Sequence, residues 1–189
     1  FIYFIIPRCM LLLAVLLMVI HISDTIASKA VNEEYLKHLS ETDDMTKVYN
    51  RNKYLDMIRD YYPHIQEVSV IFWDVNGLKQ TNDKIGQESG DILKKEIAAA
   101  IAGAVAEEGM VYRIGGDEFI MIIDNPSDEE GKNISASVAE MIEKANEGSR
   151  LKITSAVGMA KGYGRDVLEV VKRADEEMYK NKVKSKAGR

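Results

Sequence analysis

Two adjacent glycines between apolar stretches restrict most strongly what this chain can fold into. In the segment VYRIGGDEFIMII, residues 111–123, β-branched and aromatic residues flank Gly115 and Gly116, a pattern that predicts a β-hairpin. Glycines at the turn permit positive φ angles and let a ligand approach the backbone closely. Asp117 and Glu118 follow directly, and adjacent like charges are best tolerated in water or beside a cation.

A further acidic residue stands at the end of a predicted buried strand. The segment EVSVIFWDVNG, residues 67–77, is rich in β-branched and aromatic residues and places Asp74 before a polar loop. Taken singly, Asp74 is an ordinary turn aspartate, and Asp117 and Glu118 are exposed hairpin residues. If the two strands are neighbours, three carboxylates converge, and such oxygen ligands suit Mg²⁺ or Mn²⁺. A two-metal cluster of this type would support phosphoryl or nucleotidyl transfer.

The remaining sequence periodicities predict an α+β domain. Helices are predicted at 50–61, over a region ending near 108, at 127–146 and at 166–184; strands are predicted from 67, at 110–114, at 117–124 and from 151. The order β, α, β, β, α, β indicates a compact fold with helices packed on an antiparallel sheet.

The N-terminal segment differs sharply from the rest of the chain. Its first 22 residues are almost continuously apolar, with Arg8 as their one charge. As a helix they would span roughly 33 Å, about one hydrocarbon core, so we expect a transmembrane helix at residues 1–22. A cleaved signal peptide is the alternative. The lack of an initiator Met favours the last of several spans, with a sensor region upstream of this chain.

Residues 23–43 are predicted to link this helix to a soluble domain at 44–189. Ala27, Val31, Tyr35 and Leu39 recur every four residues among charged neighbours, which is typical of a short amphipathic helix. Such a helix is either a simple connector or a dimerising stalk, and the sequence does not choose between them.

Composition excludes some classes of protein. A formal net charge of −5 argues against a general nucleic-acid binder, which needs a basic face, but not against a nucleotide whose phosphates are neutralised by metal ions. The single cysteine provides neither a disulfide framework nor a cysteine-rich metal site.

Several polar residues follow Asp74 at short spacing. Lys79 is suited to contact a phosphate, or else is a solvated helix residue. Asn82 and Asp91 offer the donors and acceptors that a guanine edge requires, because a carboxylate can accept from the base N–H and amino groups.

The string RIGGDEF, residues 113–119, with DVNGLKQTND upstream of it, closely resembles the GGDEF domain of diguanylate cyclases. The resemblance extends from DDMTKVYNR, near residue 44, to KRADEEMYKNK near the C-terminus, with four motifs in order. It implies a palm-like α+β fold and condensation of two GTP into cyclic di-GMP, with release of two pyrophosphates. It also implies a homodimer, since each domain binds one GTP and the two domains must face each other.

The resemblance assigns roles by position. Two Mg²⁺ (or Mn²⁺) ions per site would be carried by Asp74, the Val75 carbonyl, Asp117 and Glu118. Asp117, as the candidate base for the 3′-hydroxyl, and Lys79, at the phosphates, are the expected catalytic residues.

The remaining assignments concern the substrate. Lys182, Lys186 and the backbone N–H groups of Gly77 and Leu78 are expected to hold the triphosphate. Asn82 and Asp91 are expected to read the guanine base. Gln87 would add a further substrate contact, and Gly115 and Gly116 would give GTP room.

The sequence departs from the family pattern at a few positions. Asn76 stands where Asp is frequent and Leu78 where Phe is usual, both as tolerated variants. Gln87 replaces the customary His after Gly86, although an amide can still hydrogen-bond. Lys47 occupies a position that is usually Gly.

The product-inhibition motif Arg-x-x-Asp is missing upstream of the hairpin. Its positions are Ala106 and Gly109, so we expect no feedback inhibition through that primary site.

The leading hypothesis is therefore an active diguanylate cyclase anchored in the inner membrane, with its catalytic domain in the cytoplasm. The second is a degenerate GGDEF module that binds GTP or a partner and relays a signal without turnover, for which Gln87 and Lys47 are the motivation. An exported structural protein, the third possibility, is disfavoured because GTP is cytoplasmic.

Overall fold

The computed structural model describes residues 2–105, 109–127 and 129–187; within these, the side chains of residues 2–7, 9, 11, 12, 34, 105, 186 and 187 lie outside the description. The chain divides into two units, Phe1–Ser40 and Glu41–Arg189. The expected roles of Lys186 and Ala106 therefore fall on a side chain and a residue outside the described set.

The first unit belongs to one helix, α1, Ile2–Glu41. Within the described part of the chain, Leu13–Glu41 is the stretch long and apolar enough to cross a membrane, and none of its most apolar window is buried. This criterion considers only the length and the composition of the helix, and a signal sequence would meet it as well. The segments predicted as span and stalk thus run through a single helix.

The second unit is a four-stranded sheet with helices on both faces. Its elements are α2 Arg51–Asp60, β1 Glu67–Val75, α3 Leu78–Ile85, α4 Gln87–Val105, β2 Met110–Arg113, β3 Glu118–Asp124, α5 Glu130–Asn146, β4 Ser155–Tyr163 and α6 Val167–Ala187, with short 3₁₀ turns at Tyr62–His64 and Gly164–Asp166. The strand order is β2-β3-β1-β4 and every pairing is antiparallel. The predicted α+β fold, with helices flanking an antiparallel sheet, is confirmed.

Strand β1 is central because both of its faces are buried. Ile71, Trp73 and Val75 pack into a core with α4 and α5. Val70 and Phe72 pack into a second core with α2 and α6. Since side chains alternate along a strand, the next residue after Trp73, Asp74, belongs to the α6 face.

Two predicted segments differ from the structure, each for a local reason. The helical region before 108 is two helices, because Gly86 has a φ of 112° and ends α3. The last strand begins at Ser155 rather than 151, since the backbone before it is tied to Asn146, whose side chain bonds both N–H and C=O of Ile153.

The hairpin also differs from expectation. The first hairpin strand ends at Arg113, and the second begins at Glu118, so Asp117 lies in the turn. The glycines with positive φ among the described residues are Gly77, Gly86 and Gly148. Gly115 and Gly116 therefore do not use the left-handed region; at Gly115 the reason for glycine is the neighbouring Glu118.

Candidate active site

The strand pairing brings the predicted acidic residues together. β1 and β3 are neighbours, and their register sets Asp74 directly opposite Glu118, so both side chains lie on the α6 face of the sheet. Asp117 precedes β3, and its carbonyl accepts a hydrogen bond from the Val75 N–H at 2.9 Å. Adjacency of the two strands, the condition for convergence, is confirmed.

Asp74 is nearly inaccessible and is held by a lysine from the far end of the chain. Only 6% of Asp74 is exposed, and the Nζ atom of Lys182, on α6, donates to both of its carboxylate oxygens at 2.6 Å. A buried carboxylate requires such a partner. The pairing joins the end of β1 to the last helix of the domain.

Glu118 lies among several other carboxylates. Burial raises the pKa of its carboxyl group, and the charges of Asp117, Asp74 and Asp175 raise it further, against the opposing effect of Lys182. A divalent cation would relieve this repulsion, and carboxylate oxygens are the donors that Mg²⁺ or Mn²⁺ prefers.

The described residues nevertheless contain no group of three or more His, Cys, Asp and Glu side chains arranged to hold a metal ion. The donor chemistry of Asp74, Asp117 and Glu118 fits the ion, but Lys182 occupies both oxygens of Asp74. An ion bound by Asp74 would require Lys182 to move.

Gly115 is required by its neighbour rather than by its own backbone angle. A Cβ atom at this position would collide with the carboxylate of Glu118, whereas a Cβ atom at Gly116 would meet nothing within 4 Å. The first glycine therefore makes room for Glu118. Gly116 borders open space beside the turn, where a ligand could approach the hairpin backbone.

A cavity of about 680 Å³ opens beside these acids. Of the predicted site residues, the structure brings six together there: Val75, Gly77, Leu78, Lys79, Asp117 and Lys182. Those it does not place in the lining are Asp74, Asn82, Gln87, Asp91, Gly115, Gly116 and Glu118. A volume of this size is in the range of small-molecule sites.

Three lining residues had no site role in the sequence analysis: Asn76, which was noted only as a tolerated variant, Gln80 and Ser185. Ser185 lies three residues after Lys182 on α6, so helical spacing puts the two on one face. Gln80 directly follows Lys79. Ser185 and Gln80 could have been found by asking which residues share a helix face or a turn with a predicted lysine.

The start of α3 supplies the cavity with backbone donors. Gly77, the residue before this helix, has a φ of 72°, and its carbonyl accepts the first helical hydrogen bond from the N–H of Thr81. The preceding amides, including that of Leu78, have no partner within the helix. Such amides attract phosphate because the helix dipole is positive at this end.

The predicted guanine-reading residues lie where α3 meets α4. Asn82 packs against Gly90, so closely that a Cβ atom at Gly90 would collide with the Asn82 amide oxygen, which is buried without a hydrogen-bond partner in the described structure. Asp91, next to Gly90, forms an ion pair of 2.7 Å with Lys94, whose hydrogen bond lowers the pKa of the Asp91 carboxyl. Gln87 is exposed at the first position of α4.

An arginine ties the hairpin to the beginning of the domain. Arg113 donates through Nη1 to the carboxylate of Asp43 at 2.9 Å and through Nη2 to the carbonyl of Gly116 at 3.0 Å. Burial alone would raise the pKa of Asp43, but hydrogen bonds from Thr46 and from Arg113 hold it below its usual value. The turn that contains Gly116 is thus fixed by a residue just after α1.

The family of the chain follows from its comparison with known proteins. Residues 40–187 match the family described as "Diguanylate cyclase, GGDEF domain". The chain belongs to this GGDEF family. The match includes the acidic pair, the cavity and both cores, so the geometry above is that of a GGDEF domain.

Known relatives of this GGDEF chain come from several bacteria. It is 24% identical over 171 residues to Diguanylate cyclase A of Treponema denticola, covering 84% of this chain and 46% of that protein. It is 27% identical over 162 residues to the cyclic di-GMP phosphodiesterase PdeR of Escherichia coli, covering 78% and 23%. The chain therefore spans half or less of the length of these relatives.

A solved structure shows the same fold. The diguanylate cyclase SiaD of Pseudomonas aeruginosa, crystallised with its activator SiaC, has a TM-score of 0.73 and 27% identity to this chain, with 94% of this chain and 72% of that chain covered.

Proposed function

We propose that this chain is an active diguanylate cyclase, which condenses two GTP molecules into cyclic di-GMP and releases two pyrophosphates. The observation that carries the proposal is the convergence of Asp117, Lys79, Lys182 and the start of α3 on one cavity beside the facing pair Asp74 and Glu118. Acids, phosphate-binding cations and backbone donors are the parts that nucleotidyl transfer requires.

The residues divide the work by their chemistry. Lys79, Lys182 and the N–H groups of Gly77 and Leu78 would hold the triphosphate, with Gln80 and Ser185 at the same cavity wall. Asn82 and Asp91 would bind the guanine edge, since Asp91 remains an ionised acceptor beside Lys94. Gln87, exposed nearby, would supply an amide contact, and Lys186 a further cation.

The reaction forms one P–O bond and breaks another at each of two phosphates. Asp117 would accept the proton of the 3′-hydroxyl, whose oxygen attacks the α-phosphorus of the second GTP, and pyrophosphate leaves. Two Mg²⁺ or Mn²⁺ ions, held by Asp74, Val75, Asp117 and Glu118, would supply charge stabilisation to the attacking and leaving oxygens.

The proposed reaction also requires a particular arrangement of the chain. Each domain would bind one GTP in the cavity lined by Asp117, so two domains would have to meet face to face and the working form would be a homodimer. Residues 1–22 would anchor the chain in the inner membrane, 23–43 would form the stalk, and 44–189 the cytoplasmic cyclase domain. The apolar length of Leu13–Glu41 supports the anchor, and Gly109 in place of an acid supports the lack of product inhibition at the primary site.

Product formation tests the proposal directly. The full chain with GTP and Mg²⁺ is expected to yield cyclic di-GMP, measured by chromatography, and Asp117→Asn is expected to reduce the rate by about 10²-fold or more, because the general base is lost. Asp166→Asn, a change at an exposed aspartate next to α6, is the matched control and should retain the rate. Absence of product from the dimeric wild-type chain would refute the proposal.

A second candidate function is a GGDEF module that binds nucleotide without turnover. It is favoured by one observation, the similarity to PdeR, whose name describes a phosphodiesterase and no cyclase. Calorimetric titration with GTP separates the two: binding with no cyclic di-GMP formed, under conditions in which the chain is dimeric, would select this candidate.

A further inference from the structure

Lys182 pairs with a buried anion, Asp74, and at the same time lines the open cavity. Its ammonium group contacts both oxygens of the buried Asp74 at 2.6 Å, and the same side chain lines the 680 Å³ cavity with Lys79. Its side chain is 24% exposed, and a lysine has a flexible four-carbon stem with a compact charged end. The Lys182 ammonium group can therefore move from Asp74 into the cavity by side-chain rotation, without a shift of α6.

The ion pair opposes metal binding by Asp74. A cation that bonds both carboxylate oxygens repels a second cation at the same oxygens, and the repulsion is strong because water is largely excluded from Asp74. Removing Lys182 without a replacement would leave a buried carboxylate without a partner, which is strongly unfavourable. Asp74 is consequently best served by one cation at a time, either the lysine or a metal ion.

The phosphates of a nucleotide remove this conflict. They offer Lys182 a new anionic partner in the cavity, while the metal ion takes its place on Asp74. From this geometry we propose that Lys182 is an exchangeable counter-ion, which neutralises Asp74 until nucleotide and metal bind together. The inference rests on the proposed function, because it takes Asp74 to be a metal ligand and the cavity to bind a triphosphate.

Two consequences distinguish this role from simple phosphate binding. Metal alone binds weakly to the wild-type chain, because it must displace the lysine. Nucleotide and metal bind with positive coupling, because the phosphates draw Lys182 away from Asp74 and the metal ion takes its place there. By linkage, each ligand raises the affinity for the other by the same factor.

Titration of the full chain with Mn²⁺ alone, with free Mn²⁺ followed by electron paramagnetic resonance, tests the first consequence. Lys182→Met is expected to tighten Mn²⁺ binding about tenfold or more, by analogy with the effect of a neighbouring charge on the affinity of a carboxylate for a proton. Lys182→Arg keeps the charge and should bind Mn²⁺ as weakly as the wild type. Lys79→Met is the matched control: it removes a lysine from the same cavity, and Mn²⁺ affinity should not change.

The second consequence is measured with a non-hydrolysable GTP analogue. In the wild type the analogue should increase Mn²⁺ affinity, and in Lys182→Met this increase should largely disappear. Lys79→Met should weaken analogue binding while leaving the metal affinity of the free chain unaltered. Lys182→Gln replaces Lys182→Met if circular dichroism shows that the methionine variant is unfolded.

Several results would overturn the counter-ion role. Equal Mn²⁺ affinity in Lys182→Met and wild type would do so, as would an equal increase in Lys79→Met. Persistence of the tighter binding after Asp74→Asn is added would place the metal elsewhere. These readouts are separate from catalysis: a chain that makes no cyclic di-GMP but shows the Lys182→Met effect would lose the cyclase proposal and keep this one.

Discussion

At the scale of single residues, the site combines an acid that is paired with a lysine and an acid that is surrounded by like charges. Asp74 is compensated by Lys182 at 2.6 Å, whereas Glu118 has its pKa raised by burial and by three neighbouring carboxylates. Native proteins tolerate such local repulsion where function requires it, and stability is lower in consequence. Substitution of Glu118 should therefore change metal binding and folding stability in opposite directions.

Glu118→Gln is expected to stabilise the chain in a chelating buffer at pH 7 and to weaken Mn²⁺ binding. The pKa of Glu118 is raised above its ordinary 4.5, so folding is favoured most below that value and loses free energy as pH rises through the folded pKa. Because the group is only partly buried, screening by solvent limits the gain to a few tenths of a kcal/mol, about 1 °C in Tm.

Thermal unfolding followed by circular dichroism measures the gain. The difference between Glu118→Gln and wild type should shrink as the pH falls below the ordinary pKa of 4.5 and vanish well below it, where the wild-type carboxyl is neutral in both the folded and the unfolded chain. Glu176→Gln, at an exposed glutamate on α6, controls for the loss of one negative charge. A variant less stable than wild type at pH 7 would show that Glu118 contributes to folding.

At the scale of elements, the sequence predicted the parts whose signals are local. The order of strands and helices followed from apolar periodicity, and β1 was recognisable because both of its faces are apolar. The break between α3 and α4 was missed, because Gly86 interrupts a pattern that continues on both sides. The pairing of Lys182 with Asp74 could not be predicted from residue chemistry, since 108 positions separate them and only the packing of α6 on β1 joins them.

The turn before α2 carries a departure that the structure explains. Lys47 has a φ of 62°, the left-handed region that glycine favours, and its N–H donates to the carbonyl of Asp43 at 2.8 Å. The family preference for Gly here is thus a backbone requirement. The ion pair of Lys47 with Asp44 spans 3.3 Å between exposed side chains and contributes little to stability.

Lys47→Gly is accordingly expected to stabilise the domain by about 0.5–1 kcal/mol, because the strain of a Cβ atom in the left-handed region is removed. Chemical denaturation should show this as a higher midpoint with an unchanged slope. Lys47→Ala removes the same charge but keeps the Cβ atom, so it should give no gain. Equal stabilisation by both variants would mean that charge, and not backbone strain, is the cause.

At the scale of the whole molecule, the proposed reaction needs more than one chain. Each domain contributes one Asp117 to the candidate cavity, while cyclic di-GMP contains two new P–O bonds, each formed by attack of a different 3′-hydroxyl. A dimer with two-fold symmetry places each domain in the same relation to the other, so that each Asp117 serves one of the two attacks. Under the proposed mechanism, neither domain completes the product alone.

Mixing wild-type and inactive chains measures whether cyclic di-GMP formation requires two working domains. If full-length wild-type and Asp117→Asn chains are combined in equal amounts and allowed to pair at random, about a quarter of the dimers contain two working bases, so the rate per total chain should fall to about a quarter of the wild-type value. A chain that acted singly would give one half. Mixing with Asp166→Asn should leave the rate unchanged, which controls for exchange and handling. Rates of cyclic di-GMP formation across a series of mixing ratios should follow the square of the wild-type fraction, and a linear dependence would exclude the dimeric mechanism.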